Sequence, residues 1–278
     1  MAVRRARLLS VPVADDLLDA VTGRLAAAGC VSAPEEAAEL LTAAPDPVAL
    51  ESWVRRREQG EPLPWITGTI RFCGRTLHAA PGVYVPRFQT EELARRAAAL
   101  LPPGGRALDL CTGIGAVASH LKAEVPTASV VGLDIDRRAA SCARRNGVPS
   151  AVADLAGPVG GPAMFDVVTA VAPYVPTGDL RFLPADVQRH EPRLALDGGA
   201  DGLDLVRRTV AAAVRVLRPG GWLLVEVGGG QDEVLATIGD PAFDRVTPWR
   251  DEEGDLRGTA MRRSGPTAGV RPLRAAGV

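Results

Sequence analysis

Ala107-Leu-Asp-Leu-Cys-Thr-Gly-Ile-Gly-Ala116 joins an apolar run, a pair of glycines and the start of an amphipathic segment. That order predicts a buried strand, a tight turn and a helix. Gly113 and Gly115 would let the backbone approach a ligand closely, because neither residue has a Cβ atom. Asp109 stands at the end of the predicted strand, where its carboxylate can meet a cationic amino group. The stretch therefore predicts a ligand-binding loop at the carboxyl end of a strand.

The same succession of strand, turn and helix repeats from about Thr90 to Met261. Alternation of this kind predicts an α/β fold with a mostly parallel sheet that helices cover on both faces. The predicted strands are Ala107–Leu110, Val130–Asp134, Ala151–Ala153, Asp166–Ala170, Trp222–Val227 and Gly258–Met261. The predicted helices are Ile114–Glu124, Arg137–Arg145, Leu203–Leu217 and Gln231–Ile238.

In the first 60 residues, apolar side chains are instead spaced as in helices. Apolar residues recur every three or four positions between Leu17 and Ala28, which predicts a first helix. A second helix is expected to begin at Pro34 with Ser32 as its cap, and a third to begin at Pro47. Three short helices of this kind would form a small helical domain.

Apolar and polar residues alternate from Ile66 to Val85 around Cys73-Gly74-Arg75, as in a β-hairpin. The last residues are rich in Gly, Pro, Arg and Ala, a composition typical of disorder. We therefore divide the chain into a helical domain at 1–62, a β-hairpin linker at 63–89, the α/β domain at 90–263 and a disordered tail at 264–278.

Composition and charge argue against several classes of partner. A formal net charge of −1 over 278 residues gives no reason to expect nucleic-acid binding. No apolar stretch is long enough to span a membrane, and the apolar run near the N-terminus is too short for a signal peptide. Cysteines and histidines are scattered, so we expect reduced thiols, no metal and a cytoplasmic protein. These residues are Cys30, Cys73, Cys111, Cys142, His78, His120 and His190.

Acidic residues follow three consecutive predicted strands. Asp109 would meet the amino group of a methionine moiety. Asp134 comes 21 residues after Gly113 (134 − 113) and could bind both ribose hydroxyls, while Asp154 could accept from an adenine amino group. Because the third glycine of dinucleotide-binding loops is absent, S-adenosylmethionine is favoured over a nicotinamide cofactor. The residues expected to bind it are Asp109, Cys111, Thr112, Gly113, Gly115, Asp134, Ile135, Asp154 and Leu155.

Four stretches, in the correct order, resemble motifs of the HemK/PrmC family, the protein-glutamine methyltransferases that modify peptide release factors. Arg57-Glu-Gln-Gly-Glu-Pro-Leu-Pro-Trp-Ile-Thr-Gly68 resembles the family's linker motif. The others are Val85-Pro-Arg-Phe-Gln-Thr-Glu91, Val171-Ala-Pro-Tyr174 and His190-Glu-Pro-Arg-Leu-Ala-Leu-Asp-Gly-Gly199, the last continued by Asp201-Gly-Leu-Asp204. The resemblance extends from about Arg56 to Met261. It implies a class I methyltransferase domain with a Rossmann-like sheet of seven strands, the last antiparallel, after a helical domain and a hairpin linker.

The resemblance also implies an acceptor pocket formed by Tyr84, Val171, Ala172, Pro173 and Tyr174. Its family pattern is Asn-Pro-Pro-Tyr or Asp-Pro-Pro-Tyr, in which the first side chain accepts a hydrogen bond from the substrate nitrogen. Val171 cannot accept one. Further departures are Ala172 for Pro, Cys111 for the first glycine of the cofactor loop, and Phe88-Gln89 for Pro-Asp or Pro-Glu.

The loss of this acceptor changes the expected substrate. A glutamine amide nitrogen is a poor nucleophile, and positioning hydrogen bonds are needed to localise its lone pair. An amine, thiolate, phenolate or activated carbon could be methylated without them. Our leading hypothesis is a methyltransferase with a small-molecule acceptor, such as an amino-acid side-chain nitrogen in specialised metabolism. The alternatives are a release-factor glutamine methyltransferase and a cofactor-binding protein without transferase activity.

Three other side chains are candidates for a substitute base in the acceptor pocket. Asp179, His190 and Glu191 follow the Val171-Ala-Pro-Tyr174 motif and carry titratable groups. Each is equally well explained as a group that orders its loop. The sequence leaves both interpretations open.

Overall fold

The computed structural model describes residues 12–157, 159–160, 163–239 and 241–265. The predicted disordered tail at 264–278 lies almost entirely outside these residues. The chain divides into two compact units. Residues up to Thr69 together with Pro184–His190 form the first unit, and Ile70–Leu183 with the residues from Glu191 onward form the second.

The first unit is helical. Its consecutive helices are α1 (Pro12–Ala27), α2 (Ala33–Ala43), α3 (Pro47–Glu58) and α4 (Leu63–Thr67). The apolar side chains that the sequence spaces at helical intervals meet in one small core, which contains Val21, Leu25, Ala33, Ala37, Leu40, Leu50, Val54 and Ile66. Beside it, Arg57 Nε donates to Glu36 Oε2 at 2.5 Å, and both side chains are largely buried. Arg57 is therefore an internal ion-pair partner, although its run of arginines predicts a solvated helix end.

The start of α2 differs from the prediction. Ser32 occupies the N-cap position, but its side chain makes no capping hydrogen bond. Helix α3, in contrast, has a side-chain cap, because Asp46 Oδ1 accepts from the backbone N–H of Ala49 at 2.8 Å. Sequence reasoning overlooked Asp46, although an Asp immediately before Pro47 is a common helix start.

We predict that Asp46→Ala lowers the free energy of unfolding of the helical unit by about 1 kcal/mol, because the Ala49 N–H then loses its acceptor. Ser32→Ala is the matched control, since this cap position has no side-chain hydrogen bond to lose. Urea denaturation followed by circular dichroism measures both. Equal midpoints for the two variants would contradict the assignment of the cap.

The second unit begins with a hairpin of β1 (Thr69–Phe72) and β2 (Arg75–His78). The predicted hairpin over Ile66–Val85 is too long at both ends. Residues 63–67 are helical, and the chain after His78 leaves the hairpin and enters the segment that contains Tyr84.

A seven-stranded sheet forms the centre of this unit, in the order β5-β4-β3-β6-β7-β9-β8. Its strands are β3 (Arg106–Leu110), β4 (Ser129–Asp134), β5 (Ser150–Val152), β6 (Phe165–Ala170), β7 (Leu217–Glu226), β8 (Phe243–Arg250) and β9 (Leu256–Arg263). The first five are paired in parallel, and β9 is antiparallel to both β7 and β8. The predicted α/β fold of seven strands with an antiparallel last strand is confirmed.

The remaining helices are α5 (Thr90–Leu100), α6 (Ala116–Glu124), α7 (Arg137–Arg145), α8 (Ala185–His190, within the first unit), α9 (Asp204–Val216) and α10 (Gln231–Gly239). The bounds of α6, α7, α9 and α10 agree with the sequence prediction to within two residues. Helix α5 and strand β8 were missed. Strand β8 carries Pro248 and charged residues and lies at the edge of the sheet, where a missing N–H is tolerated.

Parallel pairing brings the carboxyl ends of β3, β4, β6 and β7 to one edge of the sheet. Asp109 of β3 pairs in register with Gly132 of β4 and with Thr169 of β6. Glu226 is the last residue of β7. Residues that are far apart in the sequence therefore meet where these four strands end, which is where open α/β sheets bind their ligands.

Candidate functional site

The loop between β3 and α6 is held by backbone hydrogen bonds to the neighbouring strand. Thr112 N–H donates to the carbonyl oxygen of Leu133 at 3.0 Å, and Gly113 N–H donates to Asp134 Oδ2 at 2.9 Å. Gly113 and Gly115 have positive φ values of 56° and 81°, which favour glycine. The loop that the sequence predicted is thus anchored to the end of β4.

The two glycines have different surroundings. A Cβ atom on Gly115 would lie 3.0 Å from Ala143 Cβ and 3.1 Å from Val148 Cγ2, so this glycine permits close packing of α6 against α7. A Cβ atom on Gly113 would meet no heavy atom within 4 Å. Only Gly113 borders open space, and that space lies within the cavities described below.

Asp109 is a buried carboxylate with two internal hydrogen-bond donors. Thr112 Oγ1 donates to its Oδ2 at 2.6 Å, and Thr169 Oγ1 donates to its Oδ1 at 2.7 Å. Burial raises the pKa of Asp109 to about 6, although both hydroxyl groups favour the ionised form. An ionised carboxylate at this depth attracts a cation, which fits the predicted amino group of a methionine moiety.

Asp134 organises the start of the next loop. Its Oδ2 accepts from Gly113 N–H, and its Oδ1 accepts from Asp136 N–H at 2.9 Å. Burial raises the pKa of Asp134. Because a carboxylate has about four lone-pair sites, two acceptor positions remain for a pair of vicinal hydroxyls.

Asp154 is more exposed than the other two acids and has a cationic partner. Arg208 Nη2, from α9, contacts both carboxylate oxygens at 2.7 and 2.8 Å. The sequence did not predict this ion pair. A single guanidinium nitrogen occupies one position on each oxygen, so lone pairs remain for an adenine amino group.

An open cavity with an empty volume of about 840 Å³ lies against these acids. Asp134 and Asp154 border it together with several apolar side chains, including the exposed Ile135 and Leu194. Its lining residues are Val83, Tyr84, Cys111, Gly113, Asp134, Ile135, Asp136, Ala139, Ala153, Asp154, Leu155, Val171, Pro173, Pro192, Leu194, Ala195, Leu205 and Arg208. Apolar walls around a few acids are typical of a nucleoside site. We refer to it as the large cavity.

A second cavity, with an empty volume of about 340 Å³, contains Asp109. Its lining residues are Tyr84, Pro86, Thr90, Asp109, Cys111, Thr112, Gly113, Ile114, Ala116, Val117 and Val171. We refer to it as the small cavity. Tyr84, Cys111, Gly113 and Val171 border both cavities. These four residues therefore lie between the two cavities, and we refer to their position as the junction.

The residues of the predicted acceptor pocket are only partly brought together. Tyr84 and Val171 lie at the junction, and Pro173 lines the large cavity. Ala172 is buried in the core and lines neither cavity. Tyr174 also lines neither, because its hydroxyl is directed to Glu226 Oε1, to which it donates at 3.0 Å. Its role in the acceptor pocket therefore stays a prediction.

The candidate substitute bases are not grouped at the junction. Arg87 Nη2 donates to Glu191 Oε1 at 2.6 Å, and the Arg87 guanidinium also lies 5.0 Å from the centroid of the Tyr84 ring. Glu191 thus orders the segment that carries Tyr84. Asp179 is exposed in a 3₁₀ turn. His190 belongs to the first unit, where its Nε2 lies 3.4 Å from the Gln59 carbonyl oxygen.

Cys111 has a positive φ of 52°, a conformation that side chains with a Cβ atom rarely adopt. Burial raises the pKa of its thiol, with nearby Asp134 and Asp109 adding to the effect. The thiol is therefore protonated at neutral pH and is not activated as a nucleophile.

Two buried polar residues near Asp109 were not among the predicted site residues. Thr90 lines the small cavity, and Glu226 receives hydrogen bonds from Thr90 and Tyr174. A signal was present in the sequence, because Glu226 interrupts the otherwise apolar run Trp222–Val227. Within the described ranges, no group of three His, Cys, Asp or Glu side chains is placed to hold a metal ion. The helices in the same ranges are too short or too polar to cross a bilayer.

Comparisons with known proteins place this geometry among methyltransferases. The sequence model of the Methyltransferase small domain family matches residues 76–157. A release factor glutamine methyltransferase of Geobacter sulfurreducens is 40% identical over 193 residues, which cover 67% of this chain and 68% of that protein. A 4-amino-L-phenylalanine/4-methylamino-L-phenylalanine methyltransferase of Streptomyces pristinaespiralis is 37% identical over 259 residues, 87% of this chain and 84% of the relative.

A similar fold occurs in a solved structure from T. thermophilus, a 16S rRNA methyltransferase in complex with AdoMet and guanosine. Its TM-score is 0.50 at 21% sequence identity, and the match covers 70% of this chain and 44% of that chain. At this level of identity the likeness concerns the fold alone.

Substitutions at the two loop glycines should separate ligand binding from packing. We predict that Gly113→Ala weakens binding of S-adenosylhomocysteine at least tenfold, because the added methyl group enters the cavities, and costs about 1 kcal/mol of stability. Gly115→Ala should cost about 2 kcal/mol or more, because its methyl group meets Ala143 and Val148. Calorimetric titration and urea denaturation measure the two effects. Unchanged affinity in Gly113→Ala would contradict the location of the site.

The pKa of Asp109, about 6, predicts a pH-dependent affinity. Only the ionised carboxylate attracts a cationic amino group, and the ionised fraction falls as the pH drops below 6. Binding of S-adenosylmethionine should be about tenfold weaker at pH 5 than at pH 7. Asp109→Asn should bind weakly at pH 7 and lack this step between pH 7 and pH 5. The same pH step in both proteins, measured by titration calorimetry, would exclude Asp109 as its source.

Proposed function

The chain belongs to the HemK/PrmC family of S-adenosylmethionine-dependent methyltransferases, and we propose that it methylates an aryl amine nitrogen of a small amino-acid substrate. The cofactor supplies an electrophilic methyl group when it is bound. The large cavity would hold the adenosine portion, with Asp134 on the ribose hydroxyls and Asp154 near the adenine amino group. The small cavity would hold the methionine portion, with Asp109 facing its amino group and Gly113 leaving room for both.

The observation that carries the proposal is the position of Val171. It lies at the junction of the two cavities, where the methyl group would be held under this assignment. The family's amide at this position accepts a hydrogen bond from a weakly nucleophilic glutamine nitrogen, which valine cannot do. Val171 therefore favours an acceptor whose lone pair is already available.

An aryl amine meets this requirement better than an alkyl amine. Its nitrogen is neutral at pH 7, so the enzyme does not have to remove a proton before the transfer. An alkyl ammonium ion would need a base near the junction, and the Tyr84 hydroxyl and Cys111 thiol that line it have pKa values raised by burial. Both groups are protonated at neutral pH and therefore cannot serve as that base.

The Streptomyces pristinaespiralis relative supports this acceptor class. Its name specifies the para amine of a phenylalanine derivative, and the similarity covers most of both chains. Tyr84, Val171 and Pro173 form an apolar wall suited to an aromatic ring. A ring packed against these side chains would place its amine at the junction.

A second candidate function is methylation of a glutamine in a release factor. The 40% identity to the Geobacter sulfurreducens enzyme favours it, and several family motifs are retained. Val171 and Ala172 argue against it, because the side chain that would accept from the glutamine amide is gone.

The two functions are distinguished by a methyl-transfer assay on 4-amino-L-phenylalanine and on a release-factor glutamine peptide. We expect the wild type to methylate the amine. Val171→Asn should reduce its kcat/KM for the amine about tenfold or more, because the buried amide finds no arranged partners, and should bring no gain on the peptide. Val171→Ala is the matched control, since it changes the volume of the pocket without adding a polar group.

The opposite pattern would reject the proposal. It consists of a wild type that leaves the amine unmodified and a Val171→Asn variant that methylates the peptide. That result would identify the chain as a glutamine methyltransferase impaired by one substitution.

A further inference from the structure

Glu226 is a buried carboxylate to which the proposed function assigns no role. It ends β7 and is 3% exposed, and its hydrogen-bond partner Thr90 lines the small cavity. Thr90 Oγ1 donates to its Oε2 at 2.7 Å, and the Tyr174 hydroxyl donates to its Oε1 at 3.0 Å. A buried carboxylate is costly without donors, and these two hydroxyl groups supply them.

The pairing fixes the direction of each hydroxyl proton. A threonine hydroxyl has one proton and two lone pairs, so it can donate once and accept twice. Burial raises the pKa of Glu226, while the hydrogen bonds from Thr90 and Tyr174 favour its ionised form. In that form the carboxylate only accepts, so the Thr90 proton is directed at Glu226. Thr90 Oγ1 therefore has only lone pairs left for any other partner.

Thr90 is the member of this network that borders the small cavity. It lines that cavity together with Tyr84 and Val171, whereas Tyr174 and Glu226 do not. Thr90 is 2% exposed and is the first residue of α5, where the helix start holds its backbone in place. A hydrogen-bond acceptor is thus present in the lining of the cavity that Val171 also borders.

We propose that Thr90 Oγ1 accepts the N–H of the substrate amine and that Glu226 is the positioning residue that keeps Thr90 in this role. The inference rests on the proposed function and names the group that takes over from the missing amide. Thr90 then orients the nitrogen lone pair toward the methyl group. The hydrogen bond also selects acceptors that carry an N–H.

The transfer balances without a protein base. The nitrogen lone pair forms the new N–C bond while the S–C bond breaks and its electron pair stays on sulfur. The methylated aryl ammonium ion is a strong acid, so it releases its proton to water as the product leaves. Thr90 and Glu226 keep their protonation states and only orient the nitrogen.

Thr112 provides a contrast within the same cavity. Its hydroxyl is also committed as a donor, but to Asp109, at 2.6 Å. Asp109 is the group that would face the methionine portion of the cofactor. Loss of the Thr112 hydroxyl should therefore weaken cofactor binding, and loss of the Thr90 hydroxyl should not.

The test uses the full-length enzyme, 4-amino-L-phenylalanine as acceptor, and the variants Thr90→Val, Thr90→Ser and Glu226→Gln. Thr90→Val and Glu226→Gln should each lower kcat/KM for the amine about tenfold to a hundredfold, with S-adenosylmethionine affinity within twofold of the wild type. Thr90→Ser restores the hydroxyl and should recover most of the activity. Thr112→Val should instead raise the dissociation constant of S-adenosylmethionine.

Thr209→Val is the control for a buried threonine. Its hydroxyl donates to the Leu205 carbonyl oxygen within α9, and it lines neither cavity. Its kcat/KM should stay close to that of the wild type. Melting temperatures of all variants identify any that fail to fold. If Glu226→Gln fails to fold, the comparison of Thr90→Ser with Thr90→Val still tests the role of the Thr90 hydroxyl.

Equal kcat/KM for wild type and Thr90→Val would overturn the role of Thr90 and leave the proposed function intact. A wild type that methylates only the glutamine peptide would reject the proposed function. The same variants would then be compared on that peptide, whose amide presents the same N–H donor. An enzyme that methylates neither acceptor would overturn both.

Discussion

Two buried carboxylates at the edge of this sheet accept hydrogen bonds from hydroxyl groups, and the polar lining of the site depends on these pairs. Asp109 accepts hydrogen bonds from the hydroxyl groups of Thr112 and Thr169, and Glu226 accepts from those of Thr90 and Tyr174. Desolvation makes each carboxylate expensive, so each is stable only while its donors stay in place. The sheet meets this condition because its parallel register sets Asp109 beside Thr169. The order and register of the strands therefore determine which polar side chains lie beside the cavities.

One consequence is that the two threonine hydroxyls of the small cavity present hydrogen-bond acceptors to a ligand. The hydroxyl protons of Thr90 and Thr112 are both directed into the protein, so their remaining lone pairs are available to a ligand. These oxygens suit an amino group and a substrate with N–H groups. Valine at position 171 lacks the polar side chain that the family has there, but the oxygens of Thr90 and Thr112 remain as acceptors. This is why its substitution is compatible with an active enzyme that has an amine as its substrate.

Local patterns in the sequence were sufficient for the frame of the site, and tertiary pairing decided the rest. The glycine turn after β3 and the acids after β3, β4 and β5 could be located because each depends on neighbours within one strand–loop–helix unit. The partnership of Thr90 with Glu226 joins residues 136 positions apart, and no periodicity encodes it. The partner of Tyr174 could not be predicted for the same reason, because its hydroxyl donates to Glu226, 52 positions further along the chain. Asp154 was found, but its pairing with Arg208 depends on where α9 packs.

Backbone strain marks the same edge of the sheet independently of any polar group. Three described residues other than glycine have a positive φ, namely Cys73, Cys111 and Leu155, and the latter two line the large cavity. Each such conformation costs on the order of 1 kcal/mol and persists only where the surroundings enforce it. Cys111 directly precedes two loop residues that β4 holds, Thr112 through the Leu133 carbonyl oxygen and Gly113 through Asp134 Oδ2. The carboxylate that would bind the ribose thus also keeps the strained loop in shape, so ligand binding and loop conformation depend on one side chain.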